Sequence, residues 1–241
     1  MHFYLFLGLL TLGQPTTKPA GPTSFQDFKA SCIQSGSRHK SVSGNMRITM
    51  EAMAGKKKTF TEIRGAYEHL NGARGLLVRG EFTSTVTQEI GGVPYSDTTK
   101  VLTISDGRFA YTLSELQGQP PNATRNIQVP SQTALADEPF LNGLSQAFDI
   151  RVLPDELVDN KPVWVLEAKP KNPARALITK TIYYIAKDSG LRIRSTGHDA
   201  TGKRVQLTEL TDIKLDPPLK PERFVFKAPP GVRVVDLSPS K

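Results

Sequence analysis

The sequence predicts an α+β protein in which one strongly curved antiparallel sheet carries two short helices on one side. Apolar residues recur with a helical period in residues 24–36 and again in 136–148. Elsewhere they recur with a period of two, which is typical of half-buried antiparallel strands. Turn sequences separate these strands, and no long linker or internal repeat divides the chain. A single domain over residues 24–241 is therefore expected.

The first helix is predicted over residues 24–36. Ser24 supplies an N-cap, and Phe25, Phe28 and Cys32 share one face. Because Cys32 is the only cysteine, an internal disulfide and a cysteine-based zinc site are excluded. A lipid attachment at Cys32 is disfavoured by the "FKAS" that precedes it, so we interpret it as a small apolar residue of the helix.

Strands are predicted through the middle of the chain. Met46, Ile48 and Met50 alternate with polar residues, and Val78, Phe82 and Val86 share one face of a later strand. A loop is expected at 89–97, and "SDG" at 105–107 predicts a hairpin turn. The predicted strands of this half are 45–53, 59–69, 75–89, 99–104 and 108–113.

The second half begins with an irregular segment at 117–132, since Pro, Gly and Asn are frequent there. The second helix is predicted over 136–148, with acidic residues in its first turn. At the end of the chain, Phe224 and Phe226 are expected to plug one end of the sheet, and 232–235 to form a short edge strand. The strands between are predicted at 149–154, 161–170, 177–187, 191–199 and 203–215.

Charge and the N-terminus narrow the class of protein. The formal net charge of +8 favours anionic partners, although a merely soluble basic surface explains it equally. Aromatic residues are not interleaved with the basic ones, so nucleic acid is not expected as a partner.

Residues 1–13 are interpreted as a signal peptide and 14–23 as a disordered mature N-terminus. An uncleaved anchor and a cytoplasmic apolar tail are the alternatives.

Catalytic and metal-binding patterns are missing from the sequence. None of the four histidines forms a metal-ligand pair, and no P-loop, dinucleotide fingerprint or nucleophile elbow occurs. His198, which is followed by Asp199 at a turn, is better explained as a structural residue than as a general base. We therefore expect no catalytic residue, no metal and no cofactor, and a protein that is not an enzyme.

Several stretches together resemble the outer-membrane lipoprotein carrier family, the Lol-type carriers and related lipoprotein-sorting proteins. They are "TISDGRFAYTL" from Thr103, "FDIRVL", "VWVLEAKPK", the long run from "IYYIAKDSGLRIRS" to "KLDPPL", and "ERFVFKAPPGVRVVD". The resemblance covers roughly residues 42–236. It implies an unclosed, half β-barrel with short lid helices, whose apolar cavity holds the acyl chains of lipoproteins in the periplasm.

The resemblance implies a set of residues that line this cavity. Family carriers latch the lid with an arginine that precedes a proline, and the nearest candidate here is Arg74, which precedes a glycine. Phe109 and Tyr111 stand where the carriers often have a tryptophan after the "DG" turn. The expected cavity residues are Met46, Ile48, Met50, Val78, Phe82, Val86, Leu102, Ile104, Phe109, Tyr111, Trp164, Leu166, Leu191 and Ile193.

The expected function is that of a monomeric periplasmic carrier for an acylated lipoprotein or a related lipid. By family resemblance, an inner-membrane release protein and an outer-membrane acceptor protein are its partners. Two non-enzymatic alternatives stay open: an envelope-stress sensor of the same fold, and a protein that binds anionic membrane surfaces. An enzyme with an unrecognised site is a further alternative.

The apolar run of residues 3–13 predicts that the mature protein begins downstream of Gly13. N-terminal sequencing of the protein purified from the cell envelope should then start after this residue. An intact Met1 on protein recovered from the cytoplasm would contradict export.

Overall fold

The computed structural model describes residues 24–54, 57–72, 75–90, 92–127, 134–174 and 176–238. The signal-peptide and N-terminal predictions over 1–23, and Arg74, lie outside these residues. Two α-helices and twelve strands form the fold. They are α1 (Phe25–Gly36), β1 (Ser41–Ala54), β2 (Lys57–Gly72), β3 (Gly75–Ile90), β4 (Val93–Ser105), β5 (Phe109–Leu116), β6 (Asn122–Ile127), α2 (Glu138–Ala147), β7 (Phe148–Val158), β8 (Lys161–Pro170), β9 (Lys180–Ala186), β10 (Arg192–His198), β11 (Arg204–Leu215) and β12 (Val234–Asp236).

All twelve strands belong to one sheet, in the order β12-β6-β5-β4-β3-β2-β1-β11-β10-β9-β8-β7. Every neighbouring pair is antiparallel except β12 and β6, which run parallel. Within the described residues the edge strands β12 and β7 do not pair with each other, so the sheet is not closed. The predicted antiparallel sheet with two helices is confirmed.

Two helices begin at caps that the sequence provides. The backbone N–H of Asp27 donates to the Ser24 hydroxyl at 3.1 Å, and that of Phe140 donates to the Asp137 carboxylate at 3.0 Å. Lys29 of α1 binds Glu138 of α2 at 3.2 Å. Both predicted helices are confirmed, with the second one beginning at Glu138 rather than 136.

The helices pack on the β7–β9 end of the sheet. Phe28 and Cys32 of α1 and Leu141 of α2 are buried in one cluster with Trp164 and Leu166 of β8. The Phe28 and Trp164 rings meet edge to face, with centroids 6.2 Å apart. Burial raises the pKa of the Cys32 thiol to about 12, so this cysteine is an inert core residue.

A second buried cluster joins strands that are far apart in the sheet. It contains Val42 of β1, Tyr67 of β2 and Val78 of β3 together with Val163 of β8 and Leu191, which precedes β10. In the strand order β3 and β8 are separated by five strands. Burial of apolar surface contributes about 25 cal/mol per Å² to the free energy of folding. The cluster therefore stabilises the packing of one half of the sheet against the other.

Two parts of the chain differ from the sequence prediction. The expected loop at 89–97 is mostly strand, because β3 runs to Ile90 and β4 starts at Val93. The segment 117–132, predicted to be irregular, contains β6, which pairs with β5 along its whole length. Two of its three prolines, Pro120 and Pro121, precede the strand and so remove no hydrogen bond from the ladder.

The C-terminal segment closes one edge of the sheet, as expected, but its phenylalanines do not plug an end. Residues 221–224 form a 3₁₀ turn, and Arg223 makes a bidentate ion pair with Glu68 at 2.9 and 3.0 Å. Arg79 donates to the Arg223 carbonyl at 3.1 Å. Phe224 is 1% exposed, and Phe226 stacks on Tyr111 with centroids 5.0 Å apart. In place of the extended segment that was predicted, a 3₁₀ turn that ends at Phe224 packs on β3, and Phe226 packs on β5.

Removing the Phe224 ring should lower the free energy of unfolding by about 3–5 kcal/mol, since Phe224→Ala leaves a cavity in a fully buried site. Val225→Ala is the matched control, because Val225 is 55% exposed; it should change stability by less than about 0.5 kcal/mol. Urea unfolding measures both. Equal effects would show that the segment does not contribute to the core.

Candidate ligand-binding site

The sheet carries a cavity of about 440 Å³. Eight successive strands, from β5 through β4, β3, β2, β1, β11 and β10 to β9, contribute side chains to its wall. Its volume lies within the range of about 300–1,000 Å³ that is usual for sites that bind small molecules. The lining residues are Met46, Ile48, Tyr67, Val78, Gly80, Phe82, Thr103, Ser105, Thr112, Ala134, Thr181, Tyr183, Arg192, Ser195, Gln206, Thr208 and Leu210.

The register of the strands explains which side chains reach the cavity. Directly paired residues of neighbouring strands share a face of the sheet. Met46 pairs with Gly65 and Gly65 with Phe82, which makes one such row across β1, β2 and β3. A second row joins Tyr67, Gly80 and Thr103. The cavity face therefore follows from pairing alone.

Two glycines, Gly65 and Gly80, leave the space that the backbone and the ring of Phe82 occupy. A Cβ at Gly80 would overlap the Phe82 ring, and a Cβ at Gly65 would overlap the backbone of β3 at Glu81 and Phe82. The ring thus lies back along its own strand, over Gly80, and forms part of the cavity wall. Any side chain at Gly80 would push the ring away from this position.

A buried polar chain borders the cavity at Tyr67. The Ala134 N–H donates to the Tyr67 hydroxyl at 2.9 Å, and that hydroxyl lies 3.3 Å from Nδ1 of His69. Since the tyrosine oxygen already accepts a hydrogen bond, its proton is available to donate to a neutral His69. Burial, with a smaller contribution from the charge of His39, lowers the pKa of His69 to about 4. His69 is therefore neutral at pH 7.

Arg192 is the one charged side chain among the lining residues described above. Its guanidinium lies over the Phe140 ring, 4.0 Å from the centroid, so α2 reaches the rim of the cavity here. Phe140 also packs edge to face on Tyr183, with centroids 5.5 Å apart. Burial lowers the pKa of Arg192, while Tyr183, Tyr67 and Asp137 act in the opposite direction. Arginine stays protonated under such influences.

Four of the predicted cavity residues line the cavity: Met46, Ile48, Val78 and Phe82. Two others, Met50 and Val86, lie farther along the same face of the same strands, outside the cavity. Trp164 and Leu166 belong to the helix cluster. Leu191 and Ile193 belong to the second buried cluster.

The remaining four predicted residues lie on the opposite face of the sheet. Leu102 pairs with Glu81 and Ile104 with Arg79, both of which point away from Phe82 and Gly80. Phe109 and Tyr111 share the face of Ile104 through the pairing of β4 with β5. Their apolar character predicted the cavity face, but it serves packing on the opposite face, where Phe226 of the C-terminal segment stacks on Tyr111. These residues are Leu102, Ile104, Phe109 and Tyr111.

Sequence reasoning missed the polar part of the wall. On β4 and β5 the cavity face carries Thr103, Ser105 and Thr112, which look solvent-exposed in the sequence.

Arg192 was also missed, because simple alternation puts it on the face of Arg194. A bulge intervenes: Arg192 pairs with Ile185 and Arg194 with the adjacent Tyr184, so the two arginines point to opposite faces. No sequence pattern predicts this bulge.

In the part of the chain that the structure describes, no group of three or more His, Cys, Asp or Glu side chains is arranged to hold a metal ion. The Asp199 carboxylate accepts from the Thr201 hydroxyl at 2.6 Å and from the N–H groups of Thr201 and Lys203. It is thus engaged in closing the turn between β10 and β11, in agreement with a structural interpretation of His198 and Asp199.

Among the described residues, neither α1 nor α2 is long and apolar enough to cross a bilayer.

Comparisons with known proteins concern the fold. No family model and no curated protein matches the sequence. An uncharacterized conserved protein from Thermus thermophilus is similar with a TM-score of 0.50 and 12% identity, over 86% of this chain and 98% of that one. A crystal structure of MucB is similar with a TM-score of 0.46 and 18% identity, over 89% of this chain and 67% of MucB.

Lower-scoring structures include the family that the sequence resembles. A LolA superfamily protein from Nitrosomonas europaea matches with a TM-score of 0.29 and 12% identity, over 82% of this chain and 97% of that one. In the complex of Pseudomonas aeruginosa MucA and MucB, the chain spans 60% of the matched protein. Similar solved structures thus include a LolA superfamily member, in line with the resemblance seen in the sequence.

The low pKa of His69 predicts a pH-dependent stability. Between pH 6.5 and about 4 the unfolded chain protonates this histidine and the folded chain does not, so stability is lost as the pH falls through this window. The loss attributable to His69 should reach about 3 kcal/mol at pH 4. Urea unfolding from pH 4 to 7.5 measures it.

The variant His69→Gln should show a flatter profile than the wild type over this window. His198→Gln serves as the control, because His198 is only partly buried. This variant should keep most of the dependence of the free energy of unfolding on pH. A profile of His69→Gln that falls as steeply as that of the wild type would assign the slope to other groups.

Proposed function

We propose that this chain binds acyl chains of lipoproteins, or of a related lipid, in the cavity and carries them across the cell envelope. The observation that carries the proposal is a cavity wall built from eight successive strands of one open sheet. On this proposal the sheet is curved into a half-barrel. The cluster that joins Val78 of β3 to Val163 of β8 supports curvature, because a flat sheet would hold these strands far apart.

The wall has the apolar surface that such a ligand requires. Met46, Ile48, Val78, Phe82 and Leu210 line it. Each methylene of an acyl chain transferred from water to such a surface contributes about 0.8 kcal/mol. The flexible thioether of Met46 suits a chain without a fixed shape. The proposed activity is binding and transfer without covalent chemistry, and thus not that of an enzyme.

The location and partners of the protein follow from this proposal. A carrier of this kind works as a monomer in the periplasm, receives its cargo from an inner-membrane protein and delivers it to an outer-membrane acceptor. Residues 1–13 would serve for export. Nucleic acid has no role in it.

A sensor that binds another envelope protein is the second candidate. Exposed apolar side chains at the far ends of β1, β2 and β4 favour it, among them Met53, Phe60 and Tyr95. Gentle extraction from the native envelope followed by mass spectrometry tests the two candidates. Co-purified lipid or lipoprotein supports the carrier, and a protein partner without lipid supports the sensor.

The variant Phe82→Glu should abolish binding of a neutral fluorescent acyl probe, because it buries an unpaired carboxylate in the apolar wall. Phe60→Glu is a matched control, since Phe60 is 36% exposed and lies on the opposite face of the sheet. It should bind the probe as the wild type does. Circular dichroism verifies that both variants fold, and unchanged binding by folded Phe82→Glu would remove this cavity as the site.

A further inference from the structure

The charge of the cavity wall distinguishes between classes of lipid. Its described lining contains one cation, Arg192, and no carboxylate. Hydroxyl and amide groups occupy much of the remaining polar surface, among them Thr181, Ser195 and Gln206. A neutral head group can only accept hydrogen bonds from this cation, whereas an anionic head also gains the attraction between opposite charges.

The guanidinium is held in place by aromatic rings. Phe140 covers one face of it at 4.0 Å, and Phe140 in turn packs on Tyr183. Because a guanidinium donates hydrogen bonds from its edge, a stacked face leaves the donating groups in the plane of the ion. Tyr183 is hydrogen-bonded with Thr181, and both line the same part of the cavity. Arg192 therefore stands beside hydroxyl groups of β9 and β10 at one end of the wall, and the apolar residues of β1, β3 and β11 follow next along the sheet.

We infer that the cavity binds an amphiphile with an anionic carboxylate or phosphate head, whose head contacts Arg192 and whose chain lies along Met46, Ile48 and Phe82. The inference rests on the proposed function, since it specifies the lipid that the same cavity takes up. The volume of about 440 Å³ suits one such molecule.

Asp137 supplies an independent test. Its charge acts on Arg192, and its carboxylate caps α2 by accepting the Phe140 N–H. It does not line the cavity. An anionic head thus competes with Asp137 for the positive charge of Arg192. Asp137→Asn removes this competition and keeps the cap, because asparagine is as good an N-cap as aspartate.

The experiment measures displacement of the neutral probe N-phenyl-1-naphthylamine from the full chain at pH 7.5 and low salt. The competitors are decanoate and decyl phosphate below their micelle concentrations, decanol below its solubility limit, and inorganic phosphate. The two anionic amphiphiles should displace the probe at concentrations at least about tenfold lower than decanol does. Inorganic phosphate alone should not displace it, because it lacks the chain.

Variants identify the charge responsible. Arg192→Gln should abolish the preference for anionic heads, Arg192→Lys should keep part of it, and Asp137→Asn should strengthen it while the affinity for decanol stays the same. Equal displacement by decanol and decanoate in the wild type overturns the inference, and so does a preference that survives Arg192→Gln. Displacement by inorganic phosphate would identify a site for free anions instead.

The outcomes also separate this inference from the proposed function. Binding of all chains without head preference leaves acyl binding intact and refutes only the anionic head. A wild-type protein that binds neither the probe nor any chain refutes both. If Arg192→Gln fails to fold, the wild-type preference and the response of Asp137→Asn still decide the matter.

Discussion

The cavity depends on one constraint, the alternation of side chains between the two faces of one continuous sheet. The rows of paired residues, such as Met46, Gly65 and Phe82, reach the same face only while the register of every intervening strand is kept. A slip of one residue in any strand would transfer its whole set of side chains to the other face. The bulge between Arg192 and Arg194 uses this rule locally, since it turns a single side chain towards the cavity.

The face opposite the cavity makes a polar cavity wall possible in β4 and β5. There Ile104 and Leu113 are buried, and the 3₁₀ turn with Phe224 is held against this face by the ion pair of Arg223 with Glu68. Phe226 adds its stacking on Tyr111. Because the stability of these strands comes from apolar contacts on that side, their cavity side is free to carry threonine and serine. The C-terminal segment thus stabilises the strands of the cavity wall from the opposite face of the sheet.

The sequence predicted most helices and strands well, but it was a poor guide to which face of a strand lines the cavity. Ser24 and the helical period of Phe25, Phe28 and Cys32 were sufficient to predict α1. Alternation located most strands, but in β4 and β5 it offered two candidate faces, and the apolar one was chosen. That choice fails because the C-terminal segment packs on the apolar face, through Phe226 on Tyr111 and the Arg223 carbonyl on Arg79, and local patterns do not contain such distant contacts. The polar segment of β6 was missed because pairing with β5, rather than its own propensity, makes it a strand.

A wall that mixes methyl and hydroxyl groups solves a problem that a purely apolar one would create. An open sheet with a wholly apolar face exposes a surface that collapses or aggregates when no ligand covers it. Threonine keeps the β-branched shape that strands favour and presents both a methyl group and a hydroxyl group. On the proposed function, the wall at Thr103, Thr112, Thr181 and Thr208 can therefore be wetted when the cavity is empty and can contact an acyl chain when it is full. The apolar residues Met46, Ile48 and Phe82 then need to supply only part of the binding energy, which favours a ligand that is taken up and released over one that is held permanently.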